Sequence, residues 1–516
     1  MSSEPLPLDR QLRQETLFAR ERVYRFGEPT RIERLHLPGI EPGPEIWVKR
    51  EDLSPVKSYK WRGACNRMAQ LSAEEQSKGV VTASAGNHAQ GVALAARILG
   101  IKSRIYMPRS TPRVKQSAVR QHGADKVEVI LSGDSYDDAV SAALNDVRSS
   151  GSPYIHAYDD LSVMGGQGTL ADEVVLSGHG PFDVAYLQIG GGGMAAASGN
   201  WLKTYWPKIE VIGVEGIGQA SMSAALKAGE PVELSELDIF CDGTAVRTAG
   251  RLPFQICQQI LSGIETVTNS EVGAAIRVLW ETLRCISEPS GAMGLAAVLK
   301  NRAKLAGKRV LIVITGSNID FLQLGVIAQS EGAGEAQSKA LRIEIPEQAG
   351  TMLGLLDTCF AGLNVIDFQY GKSSEKLAAP VLTVSSADRG VLEDLPARLN
   401  AAGYKWEDLT GAVDVIFRAI PLRTDLFKHP AFLRLDFYER PGALHDFLDR
   451  QVRGRANICY FNYRHSGERI GRALIGLDFA SEAERTSVLG SIPEHGEGYR
   501  SCKPVNASTL TRLCRS

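Results

Sequence analysis

Short β-branched runs alternate with amphipathic stretches from Ile46 onward, and this alternation constrains the fold more than any other feature. Strands that alternate with helices build a mostly parallel sheet with helices on both faces, so the predicted fold class is α/β. Gly100 and Gly123 are expected to end the first two of these helices. The predicted strands are 80–83, 103–107, 126–131, 184–189, 210–215 and 309–315, and the first two predicted helices are 87–99 and 112–121.

Polar or glycine-rich segments follow three of the predicted strands. Residues 84–88 (SAGNH) follow the first strand and open a helix, 190–193 (GGGG) follow the fourth, and 315–318 (TGSN) end the last. In open α/β sheets, ligands bind beyond the carboxyl ends of the strands. We therefore expect a site where these segments meet.

The segment 84–88 has the sequence of an anion-binding helix start. Backbone amides in the first turn of a helix have no intrahelical acceptor, and they lie at the positive end of the helix dipole, so they bind a carboxylate well. The alternative is that Ser84 or Asn87 only caps the helix. Both interpretations place the segment at the helix N-terminus.

The four glycines 190–193 stand between a strand and a predicted small-residue helix, 194–199. Because glycine has no side chain, successive amides can converge on one oxyanion. A glycine cluster alone mostly indicates a loop. Its place after a strand and before a helix makes it a candidate phosphate cup.

Lys60 lies in the run 58–64 (SYKWRGA) and is the candidate nucleophile. An amine reacts as a nucleophile only when burial or neighbouring positive charge lowers its pKa. We expect Arg62 to supply such a charge and Tyr59 and Trp61 to exclude water. Most of the 58 Lys and Arg residues must be solvated surface charges, so Lys60 is singled out only together with the segments that follow it.

Composition excludes several classes of partner. Lys and Arg total 58 against 59 Asp and Glu, which indicates neither a nucleic-acid nor an anionic-membrane partner. No apolar run approaches the ~20 residues of a membrane span. The eight cysteines form no CxxC pair, and the acidic N-terminus lacks a signal-peptide core, so we predict reduced thiols in a cytoplasmic protein.

The ends of the chain differ from its middle. Residues 1–45 are polar and proline-rich, and they predict a lead-in arm with one helix near 11–25 and no chemistry. Residues 330–338 (SEGAGEAQS) predict a linker, and an internal repeat follows it. The repeat pairs Glu347, Gly350, Asn364, Phe368 and Tyr370 with Glu439, Gly442, Asn457, Phe461 and Tyr463, at offsets of 92 for the first two and 93 for the others.

The runs around Lys60, 84–91 and 190–194 follow in the order and at the spacing typical of fold-type II pyridoxal-phosphate enzymes. Over nearly its whole length the sequence resembles the biosynthetic threonine dehydratases (threonine ammonia-lyases). The resemblance implies a tryptophan synthase β-like catalytic domain at 1–329, a linker at 330–338, and two α+β ACT-like regulatory modules at 339–422 and 430–510. A duplicated domain that binds no ligand is the alternative for the repeat.

The resemblance also implies roles for individual residues. Lys60 would hold pyridoxal 5'-phosphate and act as the base, with Ser84 as a further catalytic residue. Glu288, in the motif 288–292 (EPSGA), would lie near the cofactor or cap the following helix, and 166–169 and 241–246 would form scaffold and wall. Of the cofactor, the 3-hydroxyl would contact Asn87 and the ring nitrogen would face Thr315. The phosphate of the cofactor would be bound by Gly190, Gly191, Gly192, Gly193 and Met194. The carboxylate of the substrate would be bound by Ser84, Ala85, Gly86, Asn87 and His88.

Two departures from the family pattern bear on chemistry. Thr315 stands where Ser or Cys is usual, and a neutral hydroxyl leaves the ring nitrogen largely unprotonated, which favours expulsion of a β-substituent over transamination. Some relatives bind a divalent cation through a Glu followed six residues later by an Asp. Here Glu215 is followed by Ser221, so we predict no metal site.

The expected reaction is therefore the deamination of L-threonine to 2-oxobutanoate and ammonia, the first step of isoleucine biosynthesis. The modules would bind isoleucine and valine as effectors, and the family suggests a homotetramer. One alternative is a serine-preferring dehydratase or racemase, or a β-replacement synthase, with the same cofactor apparatus. Another is an amino-acid-sensing protein whose catalytic domain is inactive.

Overall fold

The computed structural model of the chain divides into two compact units, Met1–Asp320 and Phe321–Ser516, which are described separately. The described residues are 6–37, 43–332, 337–346, 348, 351–369, 376–386, 388–410, 412, 415, 427–438, 446–452, 455–463, 470–496 and 498–505.

The first unit has twelve described helices and nine described strands. The helices are α1 Leu8–Val23, α2 Trp61–Met68, α3 Ala73–Lys78, α4 Asn87–Leu99, α5 Arg113–Gly123, α6 Tyr136–Ser150, α7 Leu161–Leu176, α8 Gly193–Tyr205, α9 Ser221–Ala228, α10 Arg251–Ile260, α11 Asn269–Leu283 and α12 Pro289–Lys300. The strands are β1 Ile32–Leu35, β2 Glu45–Arg50, β3 Val80–Ala83, β4 Ser103–Met107, β5 Val127–Leu131, β6 Val184–Gln188, β7 Glu210–Gly216, β8 Gly263–Val267 and β9 Arg309–Ile314.

These strands form two sheets. The larger has the order β1-β2-β9-β6-β7-β8, and the smaller has the order β3-β4-β5. Every neighbouring pair is parallel except β1 with β2. Every residue of β6 is buried, as expected for a strand covered on both faces. The predicted α/β class with a mostly parallel sheet is confirmed.

The N-terminal segment is part of this unit and not only a lead-in arm. Leu12, Thr16, Ala19 and Val23 form one buried stripe of α1, with the three- and four-residue spacing of a helix face. Helix α1 packs on α7, and the carbonyl of Asp9 accepts a 2.8 Å hydrogen bond from Asn200. β1, which the sequence analysis did not predict, adds an antiparallel edge to the larger sheet.

Helices α2 and α7 approach each other closely because glycines face both backbones. A Cβ added to Gly166 would lie 2.4 Å from the carbonyl oxygen of Arg62, and one added to Gly63 would lie 2.7 Å from that of Val163. Contacts this short exclude any side chain at either position. The interpretation of 166–169 as scaffold agrees with this packing.

A buried ionic cluster lies beside the start of α2. Arg62 is fully buried and donates to both oxygens of Glu51, at 2.8 and 2.9 Å, and to both oxygens of Glu173, at 2.5 and 3.0 Å. Lys49 also pairs with Glu173, and the Tyr24 hydroxyl donates to it at 2.8 Å. Buried charges are tolerated when they are paired and hydrogen-bonded in this way.

The second unit consists mainly of two antiparallel sheets with helices. Its described helices are α13 Phe321–Gly332, α14 Thr351–Cys359, α15 Arg389–Ala401 and α16 Glu482–Ser491, with a π-helical turn at Leu448–Val452. Its described strands are β10 Gln337–Pro346, β11 Asn364–Gln369, β12 Leu377–Ala378, β13 Val381–Ser386, β14 Lys405–Asp408, β15 His429–Tyr438, β16 Asn457–Tyr463, β17 Ile470–Phe479 and β18 Tyr499–Pro504.

The two sheets repeat one topology. Their strand orders are β11-β13-β10-β14, with β12 also on β10, and β16-β17-β15-β18. In chain order both are second, third, first, fourth, which is the arrangement of a βαββαβ unit. The same register shift interrupts β11 after Val365 and β16 after Ile458, which are 93 residues apart (458 − 365). The expected pair of ACT-like folds is confirmed.

Some sequence predictions for this unit need correction or fall outside the described residues. The linker predicted at 330–338 is shorter, because α13 continues to Gly332 and β10 begins at Gln337. The small, polar residues of this segment predicted a linker, and they gave no sign that α13 and β10 both extend into it. Residues 333–336 are not described, and neither are Glu347, Gly350, Tyr370, Glu439 and Gly442 of the repeat.

Within the described ranges, no helix is long and apolar enough to cross a membrane. The cysteines of the same ranges are all free.

Candidate active site

A pocket lies at the carboxyl ends of β3, β6 and β9 in the first unit. It brings together segments that are far apart in the sequence and that were predicted to meet there. Its lining residues are Tyr59, Lys60, Asn87, Gln188, Gly190, Met194, Gly243, Thr244, Glu288, Ser290 and Thr315.

Lys60 stands at the N-cap of α2, and its amine faces the carbonyl oxygen of Ala157 at 3.5 Å. Part of the residue's surface is accessible, while the protein around the amine removes water and lowers the pKa of Lys60 to about 8. The negative charge of Glu288 opposes this shift. A lysine with this pKa has a substantial neutral fraction at physiological pH, as nucleophilic chemistry requires.

Arg62 does not contribute to this shift, so that prediction was wrong. Burial is the main cause of the lowered Lys60 pKa, and the Arg62 charge is neutralised by Glu51 and Glu173. Successive helical residues are turned by about 100°, so side chains two apart lie on nearly opposite sides of the helix. The two aromatic neighbours of Lys60 also lie in different places: Tyr59 lines the pocket, and Trp61 is buried in the core.

The segment 84–88 opens α4, with Gly86 at the N-cap and Asn87 as the first helical residue. The Ser84 hydroxyl accepts a 3.3 Å hydrogen bond from the amide of Gly86. His88 is buried, and burial and the Lys60 charge lower the pKa of His88 to about 3, although the carbonyl of Ile155, 3.0 Å from its Nε2, opposes this shift. A neutral His88 brings no side-chain charge to an anion, which leaves the amides of the helix start as the binding groups.

Asn87, Glu288 and Asn318 form one hydrogen-bonded group across the pocket. The Asn87 amide donates to Glu288 at 2.7 Å, the Asn318 backbone amide donates to Glu288 at 3.2 Å, and the Asn318 side chain donates to Asn87 at 2.8 Å. Burial first, and then Asp242, raise the pKa of Glu288 to about 7. Glu288 occupies the N-cap position of α12 without a side-chain capping bond, so its side chain serves the pocket and does not cap the helix.

The four glycines turn from β6 into α8. Gly192 has a φ of 94°, a left-handed conformation that disfavours other residues, and α8 begins at Gly193. A Cβ added to Gly191 would lie 2.2 Å from the ring of Tyr158. The turn is therefore a cup of bare backbone at a helix N-terminus, which suits a phosphate.

Thr315 follows β9, and its carbonyl oxygen accepts a 3.1 Å hydrogen bond from the amide of Tyr59. This bond ties the lysine segment to the central strand of the larger sheet. Thr315 lines the same pocket as Lys60 and Asn87, so the three predicted residues are brought together.

The other predicted site residues flank the pocket. The residues that lie within three positions of a lining residue in the chain, but are not themselves in the lining, are Ser84, Ala85, Gly86, His88, Gly191, Gly192 and Gly193.

Gln188 is the lining residue that the sequence analysis missed. The only signal for it was a polar residue at the end of an otherwise apolar strand. The analysis also missed the ion pair between Lys115 of α5 and Asp242, which anchors the pocket wall of Gly243 and Thr244.

Glu215 is hydrogen-bonded to the start of α9. Its carboxylate accepts hydrogen bonds from the amides of Met222 and Ser223, at 2.8 and 2.9 Å, and from the Ser223 hydroxyl at 2.6 Å. It thereby holds the start of α9. No group of three or more His, Cys, Asp or Glu that could bind a metal occurs in the described part of the chain.

The pocket fits a phosphorylated aldehyde. Lys60 offers an amine with a lowered pKa, and the glycine turn offers backbone amides at a helix N-terminus, in a turn so closely packed that Gly191 has no room for a Cβ beside Tyr158. Gln188 Oε1 is a buried acceptor with no partner among the surrounding described residues. These residues would bind the aldehyde end of such a molecule covalently and its phosphate end through backbone amides.

Comparison with known proteins agrees with this chemistry. Residues 23–316 match the family model "Pyridoxal-phosphate dependent enzyme", and 426–505 match "C-terminal regulatory domain of Threonine dehydratase". The L-threonine dehydratase biosynthetic IlvA of Burkholderia multivorans is 36% identical over 91% of this chain and 94% of its own length.

Solved structures match more than half of the chain. The processed form of threonine deaminase isoform 2 from Solanum lycopersicum is 37% identical with a TM-score of 0.59, covering 63% of this chain and 94% of its own. Maize serine racemase is 27% identical with a TM-score of 0.57, covering 62% and 96%. The chain belongs to the fold-type II pyridoxal-phosphate dependent enzymes, in the family of biosynthetic threonine dehydratases that carry a C-terminal regulatory domain.

Proposed function

We propose that this protein deaminates L-threonine to 2-oxobutanoate and ammonia as the entry step of isoleucine biosynthesis. The observation that carries the proposal is the single pocket shared by Lys60, Asn87, Glu288, Thr315 and the start of the glycine turn. The relatives that match most of this chain are named threonine dehydratases, which supports threonine as the substrate.

Pyridoxal phosphate, when bound, supplies an electron sink for the bond broken at the substrate Cα. Lys60 would hold it covalently, because its amine is the nucleophile with a lowered pKa in the pocket. Lys60, once released by the substrate amine, would be a free base in the same place and would take the Cα proton. Either Lys60 or the cofactor phosphate would donate a proton to the departing β-hydroxyl.

The remaining site residues would bind and orient the substrate and the cofactor. The helix start formed by Ser84 to His88 would bind the substrate carboxylate through backbone amides, and Ser84 is proposed as a further catalytic residue at this end. Gly190 to Met194 would bind the phosphate, again through amides at a helix N-terminus. Thr315 would face the ring nitrogen.

Asn87 would contact the 3-hydroxyl of the cofactor, with its orientation fixed by hydrogen bonds to Glu288 and Asn318. Glu288 would act through Asn87 and through its charge beside Lys60. Its pKa of about 7 means that this charge changes near neutral pH.

We also propose that the catalytic domain spans 1–329 and that the regulatory modules span 339–422 and 430–510. The modules would bind isoleucine and valine, and the assembly would be a homotetramer in the cytoplasm. The family match at 426–505 supports a regulatory role for the second module, and the repeated strand order extends that role to the first.

The test of the catalytic proposal is Lys60→Ala. The wild-type protein is expected to bind pyridoxal phosphate with an absorbance band at about 410 nm, and to convert threonine to a keto acid identified as 2-oxobutanoate. The variant is expected to lose both properties. A variant that retains the band and turns over threonine would refute the assignment of Lys60.

A serine-directed activity is the second candidate, because maize serine racemase matches 62% of this chain over 96% of its own. Rates with L-threonine and L-serine, together with chiral analysis of recovered serine, separate the two. Equal or faster turnover of serine, or formation of D-serine, would favour this candidate. An inactive sensor would instead be colourless and take up no pyridoxal phosphate.

A further inference from the structure

Gln219 connects the segment after β7 to the loop that forms one wall of the pocket. This wall loop, residues 238–244, includes the lining residue Thr244. Gln219 itself is 2% exposed and is not one of the lining residues. Its Nε2 donates to the carbonyl oxygens of Asp238, at 2.7 Å, and Cys241, at 3.1 Å, and its Oε1 accepts the Thr244 hydroxyl at 2.9 Å. One side chain thus contacts the wall loop at its start, its middle and its end.

These three contacts allow only one orientation of the Gln219 amide. An amide nitrogen has two hydrogens, and here each of them has a carbonyl acceptor. If the amide were turned over, its oxygen would face the carbonyl oxygens of Asp238 and Cys241, and all three would repel. A buried polar group whose donors and acceptor are all satisfied makes its surroundings rigid. We therefore expect the wall loop to have one well-defined position.

The hydroxyl hydrogen of Thr244 is used by Gln219. Two carbonyl oxygens lie within hydrogen-bonding distance of this hydroxyl, Gln219 Oε1 at 2.9 Å and the backbone oxygen of Cys241 at 3.0 Å. The Cys241 oxygen already accepts hydrogen bonds from Gln219 Nε2 and from the Thr244 amide. A buried acceptor without a donor is unfavourable, so the hydrogen goes to Gln219 Oε1. Thr244 therefore has no hydrogen left for a ligand in the pocket.

The wall loop packs against the start of α12 without spare room. A Cβ added to Gly243 would lie 2.9 Å from Oγ of Ser290 and 3.4 Å from Oε1 of Glu288. Ser290 Oγ is also 3.3 Å from Thr244 Oγ1, and Ser290 is the donor of this contact because the Thr244 hydrogen goes to Gln219. Gly243, Thr244, Glu288 and Ser290 all line the pocket. A displaced wall loop would therefore disturb several lining residues at once.

We propose that Gln219 is a positioning residue that fixes the wall loop in the place where the pocket binds pyridoxal phosphate. Gln219 acts through the Thr244 hydroxyl and through the backbone of the wall loop, and touches neither cofactor nor substrate. The inference rests on the proposed function, because it requires the cofactor to bind in this pocket. Loss of the Gln219 side chain releases the wall loop at three points, so the cofactor binds more weakly.

The experiment measures the dissociation constant of pyridoxal phosphate for the full-length protein by equilibrium dialysis. The wild type is compared with Gln219→Leu, Thr244→Val and the double variant. Leucine keeps much of the bulk of the glutamine and removes its hydrogen bonds. We expect Gln219→Leu to weaken binding by roughly tenfold, and to have a smaller effect when Thr244 is already Val, since the two residues share one hydrogen bond. An unchanged dissociation constant, or equal effects in the two backgrounds, would overturn the proposal.

Melting temperatures with and without the cofactor separate a positioning role from a purely structural one. Weaker binding reduces the stabilisation that a ligand gives to the folded state. We therefore expect Gln219→Leu to lower the melting temperature of the loaded protein more than that of the cofactor-free protein, and equal losses would contradict the proposal. Gln259→Leu is the control, because this exposed side chain donates to the Gln255 carbonyl of its own helix, α10. It should leave the dissociation constant and both melting temperatures unchanged.

Should Gln219→Leu fail to fold, Gln219→Glu tests the same inference. It keeps an acceptor for Thr244 but sets a carboxyl group, with at most one hydrogen, against the carbonyl oxygens of Asp238 and Cys241. We again expect roughly tenfold weaker binding of pyridoxal phosphate, and wild-type affinity in this variant would overturn the proposal. A wild-type protein that takes up no pyridoxal phosphate would refute the proposed function, and this inference with it.

Discussion

The pKa of Lys60 should determine how fast the cofactor-free protein captures pyridoxal phosphate. A lysine in water has a pKa near 10.4, so about four in ten thousand such amines are neutral at pH 7. With the pKa of Lys60 at about 8, about one amine in ten is neutral at pH 7. The reactive fraction is therefore larger by a factor of roughly 200.

The assay is the rate of absorbance change after pyridoxal phosphate is mixed with the cofactor-free protein at a series of pH values. We expect the rate to rise and level off with a midpoint near 8. A blocked lysine in solution, measured in the same buffers, corrects for the titration of the cofactor. Its rate should continue to rise towards pH 10.

A substitution at Glu288 tests the electrostatic contribution to the Lys60 pKa separately from the contribution of burial. Because its negative charge raises the pKa of Lys60, Glu288→Gln should move the midpoint to lower pH. Glu265→Gln, on β8 and outside the pocket lining, is the matched control and should leave the midpoint unchanged. A wild-type rate that still rises tenfold per pH unit above pH 9 would refute burial of the Lys60 amine.

Three further expectations concern stability, cofactor binding and regulation. Glu173→Gln should lower the free energy of unfolding by about 3–5 kcal/mol, because it leaves buried cations with too little negative charge; urea denaturation measures this, and a loss below about 1 kcal/mol would contradict it. Gly191→Ala should weaken binding of pyridoxal phosphate in equilibrium dialysis, since the new methyl would displace the Tyr158 ring, whereas Gly325→Ala has open space and should bind normally. Removal of 336–516 should abolish inhibition by isoleucine in a threonine deamination assay, and full inhibition of the truncated protein would place the effector site elsewhere.

The sequence predicted the sheet and the segments at its edge because local chemistry determines both. The bounds of β3 and β4 were predicted to the residue, since a β-branched run ends where polar or proline residues begin. Gly100 ends α4 in the left-handed conformation that only glycine adopts without strain. These features depend on a few neighbouring residues, so a single sequence contains them.

Features that depend on long-range contacts could not be predicted in this way. Arg62 was assigned to the site because it is close to Lys60 in the chain, but its partner Glu173 is 111 residues away. Gln188 owes its orientation to Gly291 and Val313, which lie 103 and 125 residues further on. Neither pairing has any local signature.

The glycine contact between α2 and α7 limits how this enzyme can acquire new substrates. Any bulkier residue at Gly63 or Gly166 would push apart two backbones that already touch, and would move Lys60, at the N-cap of α2, together with the helix. Substitutions at these two glycines are thus closed as a route to a new specificity. Thr244 and Ser290 line the pocket and meet through their side chains, so a change of substrate can begin there without moving α2.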